Sequence, residues 1–197
     1  MIREFHFADW FTLGNAACGT ASVMASMAAL VTNDAGRLLA ASFLIFTALA
    51  FDVLDGRIAR WRQKASPLGR ELDSLADVIS FGVAPAALGY ACGLRGVFDQ
   101  IILVYFVACG VSRLARYNIT AEALSDDTGK VAHFEGTPIP TSAVLVALLA
   151  VAAWTGAIGD RLWLGGIELG GGTLHWLSLL YAASGSLMIS RMRIPKF

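Results

Sequence analysis

Charge is scarce in this chain. Of 197 residues only 15 are basic and 15 acidic, whereas a soluble domain carries about 25% charged residues. That scarcity argues against an ordinary hydrated surface, and the formal net charge of zero gives no basis for nucleic acid as a partner. Cysteine is equally sparse. Cys18, Cys92 and Cys109 sit in separate apolar segments, without a CxxC pair or a histidine at ligand spacing. A disulfide framework and a thiolate metal site are therefore set aside, and the three read as small buried hydrophobes. His6, His133 and His175 are too scattered to suggest catalysis. The opening "MIREFHFADWFTLGN" lacks the apolar core and small-residue cleavage site of a secretory signal. Internal repeats, which transporters often show, are also missing.

What the chain has is apolar length. It is 56% hydrophobic with a mean hydropathy of +0.63, and a spanning helix needs about 20 mostly apolar residues. Six segments meet or approach that need: 13–32, 37–60, 69–93, 97–117, 139–157 and 173–190. The expected fold class is all-α, a polytopic six-helix membrane bundle forming one domain over residues 1–197. Residues 1–12 are expected as a short amphipathic interfacial helix anchored by Phe5, Phe7, Trp10 and Phe11. Residues 13–190 hold the spans, and 191–197 form a cytosolic tail. Turn-like breaks separate the spans, and the polar stretch 118–138 is the longest connection. With the N-terminus inside, only Arg37, Arg95 and Arg161 of the 15 basic residues fall on the outer side. The positive-inside bias thus places both termini in the cytosol. Small residues, as in "GNAACGTASVMASMAA", suit close helix packing where lipid offers little hydrophobic drive.

Four carboxylates interrupt this pattern. Asp52 and Asp55 are i, i+3, while Gly69, Asp73 and Asp77 are i, i+4, i+8, so each set shares one helical face. Adjacent antiparallel helices can oppose these faces near the cytosolic end. Charged residues at membrane depth cost ~2.5–3.5 kcal/mol each even on the lenient scale. Clustered carboxylates need a compensating cation, and hard oxygen donors suit Mg²⁺, Mn²⁺ or Ca²⁺. A lone aspartate could be paired with an arginine or relay protons, but neither explains four acids on two matching faces. A proton-coupled transporter would place its acids near the bilayer midplane instead.

The spacing Asp52-x2-Asp55-Gly56-x2-Ala59-Arg60-x8-Gly69-x3-Asp73-x3-Asp77 resembles the signature of the CDP-alcohol phosphotransferase family at every defined position. The resemblance implies a six-helix fold, a homodimer and a divalent cofactor, Mg²⁺ or Mn²⁺, one or two per site, held by the four aspartates. It implies that Asp77 also acts as general base. It further implies that Gly56 and Gly69 let the nucleotide approach the backbone, that Arg60 contacts phosphate, and that Ser66 lies near the nucleotide. Asn15 and Cys18 resemble the family's N-x-x-[TSC] element lining the CDP site.

The acceptor is read from "SRLARYN" (112–118) and "FEGTPIPTSA" (134–143). These resemble the phosphatidylserine-forming bacterial members of that family, with Thr137 where they carry Leu or Met. The implied reaction joins CDP-diacylglycerol and L-serine at the cytosolic face of a bacterial-type inner membrane. Arg113 and Arg116, i, i+3 on the fourth helix, suit a serine carboxylate, with ordinary positive-inside snorkelling as the alternative account. Asn118 and Glu135 are acceptor-side candidates by position. Glycerol 3-phosphate, inositol phosphate and choline are the alternative acceptors.

Overall fold

Apolar runs become helices here because in lipid each backbone N–H and C=O must find its partner within the segment. The computed structural model describes residues 7–62, 67–125, 133–190 and 193–195. Seven α-helices dominate the described residues: α1 (Phe7–Thr32), α2 (Ala35–Arg62), α3 (Pro67–Asp77), α4 (Ala84–Cys92), α5 (Val97–Ser125), α6 (Ala143–Trp154) and α7 (Ser178–Ile189). A π-helical segment, Val78–Val83, joins α3 to α4 in a continuous rod.

Among the described residues, four helical stretches are long and apolar enough to cross a membrane: Asp9–Thr32, Ala35–Ile58, Leu68–Cys92 and Val97–Ile119. At 1.5 Å per residue each exceeds the ~30 Å hydrocarbon core. The fifth and sixth apolar segments form shorter helices, Ile139–Trp154 and Ser178–Ile189.

Three local expectations change. Residues 7–12 run without a break into α1, so the described part of the expected interfacial helix is not a separate element, and residues 1–6 lie outside the described ones. Phe11 packs inward against Phe51, ring centroids 6.1 Å apart, while Trp10 remains exposed. Helix α5 continues to Ser125 because "AEAL", residues 121–124, supplies good helix formers that are too polar on average to read as a span. The chain is also not purely helical. Two antiparallel ribbons form, β1 (His133–Glu135) with β4 (Arg193–Pro195) and β2 (Gly166–Leu169) with β3 (Gly172–His175).

The second ribbon takes the start of what reads as the sixth span. Gly170 and Gly171 turn the chain with φ of 46° and 119°, a region that side chains with a Cβ avoid. Asp99 then fixes β3. Fully buried near the start of α5, it accepts from the His175 backbone N–H at 2.8 Å and from the Gly96 N–H at 3.0 Å. It also lies 2.6 Å from His175 Nδ1. Extended backbone is held there, and α7 begins only at Ser178.

Helix α1 lies along α2 and also meets α3 and α4, and α5 lies along α7. Phe81, Leu88, Phe106 and Tyr181 are fully enclosed in the core. Phe106 and Tyr181 meet edge to face at 5.1 Å, a favoured aromatic geometry. The Tyr181 hydroxyl donates to the Pro85 carbonyl at 2.8 Å. Pro85 has no N–H and crowds the preceding turn, so the wider π turn falls where a regular α-turn would be strained.

Candidate active site

The acid-bearing ends of α2 and α3 are brought together by α1. Carboxylate oxygens of Asp52, Asp55 and Asp73 all lie within 4.8 Å of one another. Asp77 sits one turn further along α3 on the face of Asp73, at the junction with the π segment.

Two polar side chains of α1 reach this cluster. Thr12 Oγ1 donates to Asp55 Oδ2 at 2.9 Å, and Asn15 Nδ2 donates to Asp77 Oδ1 at 3.3 Å. They are i, i+3 and face the same way. The Ser80 hydroxyl donates to the Asn15 carbonyl at 2.9 Å, tying the π segment to α1. That contact depends on Gly19, where an added Cβ would stand 2.8 Å from Ser80 Cα. Thr12 and Ser80 do not belong to the family spacing, and their partners lie 43 and 65 residues away. The available sequence signal is a stripe of small and polar residues, Thr12, Asn15, Gly19, Ser22 and Ser26, spaced three and four apart along one face of α1.

The cluster suits a hard divalent cation. Oxygen donors converge, Asp73 Oδ1 is buried without a hydrogen-bond partner, and among the described residues no Lys or Arg forms a salt bridge with any of the four aspartates. Beside them, a Cβ added at Gly56 would meet no atom within 4 Å, so there is room against the backbone. The molecule carries a buried concentration of negative charge next to an open approach, an arrangement that can hold cations against a polyphosphate.

A family model described as CDP-alcohol phosphatidyltransferase matches residues 5–183. The chain belongs to this family. Among related CDP-alcohol phosphatidyltransferases, a CDP-diacylglycerol–serine O-phosphatidyltransferase of Saccharomyces cerevisiae is 42% identical over 100% of this chain and 72% of its own length. A protein of the same name from Helicobacter pylori is 34% identical, over 89% of this chain and 69% of its own. An archaetidylserine synthase of Methanothermobacter thermautotrophicus is 37% identical, over 71% and 55% respectively.

The other sequence-derived candidates in this CDP-alcohol phosphatidyltransferase are placed unevenly. Cys18 is partly exposed one turn beyond Asn15 on α1, and Gly69 lies in the first turn of α3. Ser66 lies outside the described residues, as do the side chains of Arg60 and Glu135. On α5, Arg113 is close enough to Asp77 for their charges to interact, and its Nε is buried without a hydrogen-bond partner. Arg116 is exposed on the same helix. Asn118 bridges α5 to α3, its amide donating to Ser74 Oγ at 3.0 Å and Glu71 Oε2 at 3.3 Å.

Proposed function

We propose that this enzyme transfers the phosphatidyl group of CDP-diacylglycerol to the hydroxyl of L-serine, giving phosphatidylserine and CMP. The similarity of the whole of this chain to 72% of a CDP-diacylglycerol–serine O-phosphatidyltransferase carries the reading, and the convergence of acids supplies a chemical basis for the donor half. Serine also appears in the name of the archaeal relative.

In the proposed mechanism the serine oxygen attacks the phosphorus that bears the diacylglycerol. The bond from that phosphorus to the bridging oxygen breaks, and CMP departs with its electron pair. Asp77 takes the proton of the serine hydroxyl as the new bond forms. Bound Mg²⁺ or Mn²⁺, one or two ions held by Asp52, Asp55, Asp73 and Asp77, would neutralise the diphosphate and stabilise charge on the leaving group. Asn15 orients Asp77 through its amide. Gly56 leaves space for the nucleotide, with Gly69, Cys18, Arg60 and Ser66 on the donor side. Arg113 and Arg116 receive the serine carboxylate, for which a guanidinium fork is well matched. Asn118 and Glu135 serve the acceptor side.

The proposed setting is one domain with six spans, in which the two shorter apolar helices cross together with their flanking segments. Both termini and the acid cluster face the cytosol, the protein works as a homodimer, and the membrane is of the bacterial inner type. The decisive assay uses purified protein, CDP-diacylglycerol and Mn²⁺ with serine, glycerol 3-phosphate, inositol phosphate or choline. Serine-dependent CMP release is expected. Release with another acceptor and not with serine overturns the acceptor, and no release with any of them overturns the reaction.

A further inference from the structure

The hydroxyl of Thr12 differs in its use from those of most helical threonines in this chain. Thr20, Thr32, Thr47 and Thr155 each close back on the carbonyl four residues earlier in their own helix. Thr12 reaches across to another helix and meets Asp55, with both residues almost fully enclosed (4% and 6% exposed). A β-branched side chain has few rotamers in a helix, so its donor is stiff. Holding one oxygen of Asp55 fixes the plane of the carboxylate and hence the direction of the other oxygen.

A neutral donor suits this position. Lysine or arginine would also hold Asp55, but its charge would cancel the carboxylate and compete with a metal ion. A hydroxyl supports the ionised acid through a charge-assisted hydrogen bond while leaving its charge available. Three carboxylates within 4.8 Å repel one another, so an unrestrained Asp55 would turn away from the other two. Carboxylates that bind metals are commonly steadied in this way, and loss of the supporting partner typically weakens the metal by about 10–100-fold.

We infer that Thr12 is a positioning residue that presets Asp55 for divalent-cation binding. The inference rests on the reading of Asp52, Asp55 and Asp73 as a cation site.

The test measures Mn²⁺ binding to the purified, substrate-free protein by the loss of the free-ion paramagnetic resonance signal. CMP release is then followed against Mn²⁺ concentration. Thr12→Val keeps the shape without the hydroxyl and is expected to weaken Mn²⁺ binding by about 10-fold or more. The Mn²⁺ midpoint of CMP release should move by the same factor, and Thr12→Ser should restore both. If the valine variant does not fold, Thr12→Ala is used, with a shift in the same direction expected. Wild-type Mn²⁺ binding that is lost in Asp55→Asn but unchanged in Thr12→Val, or in its alanine substitute, overturns the role of Thr12 alone. Absence of Mn²⁺ binding to the wild type overturns the cation site and the inference with it.

Discussion

Replacing Gly19 by alanine tests how closely α1 and the π segment meet. The new methyl would stand 2.8 Å from Ser80 Cα and 3.0 Å from Ser80 Cβ, distances that real Cβ atoms do not sustain. Rotation of the serine side chain cannot relieve a clash with its own Cα, so the two helices must separate. Forcing a methyl into packed helix contacts costs about 1–3 kcal/mol. Separation also stretches the Ser80–Asn15 hydrogen bond, worth about 1 kcal/mol. The helix propensity of alanine over glycine returns about 0.8–1.0 kcal/mol. The net expectation is a loss of about 1–3 kcal/mol, read as a lower melting temperature in detergent. Since Asn15 also holds Asp77, CMP release should fall by more than the unfolded fraction at assay temperature accounts for. Adding Ser80→Ala to Gly19→Ala should leave both defects in place, because the backbone contact persists. A Gly19→Ala protein as stable and active as wild type would refute the close approach.

The remaining predictions concern single groups. Asp77→Asn keeps the shape and the Asn15 neighbourhood but removes the proposed base, so CMP release should be lost with every acceptor while the melting temperature stays near wild type. Asp99→Ala strips three donors of their common acceptor, and leaving a buried donor unsatisfied costs about 1–3 kcal/mol. The melting temperature should drop while the KM values of the remaining folded enzyme for both substrates stay unchanged. Arg113→Lys keeps the charge but loses the planar fork, so KM for serine should rise with KM for CDP-diacylglycerol unaffected; equal changes in both would remove Arg113 from the acceptor side.

The legible parts of this molecule are those encoded by short periods. The i, i+3 and i+4 spacings of Asp52, Asp55, Asp73 and Asp77 express helical faces directly, and the long apolar runs announce α1, α2, the α3–α4 rod and α5. The π turn is invisible in such a pattern because it is a change of backbone hydrogen bonding, with Pro85 its only sequence cue. The β2–β3 ribbon was hidden for a different reason. Its second strand falls at the start of the apolar segment 173–190, and what keeps it extended is Asp99, 76 residues from its partner His175. Thr12 likewise gains its meaning only from Asp55, far along the chain. Period reveals faces, but contacts between distant segments appear only once the helices are packed.

The contacts from α1 also carry a consequence for the order of synthesis. The side-chain hydrogen bonds that reach the aspartates among the described residues come from Thr12 and Asn15, and the strap behind them from Ser80. These parts have all been synthesised once residue 80 is joined. Residues 81–190 follow over roughly 5–20 s at ordinary translation rates. The side chains of the donor half have therefore all been added to the growing chain before Arg113 and the rest of the acceptor side are made.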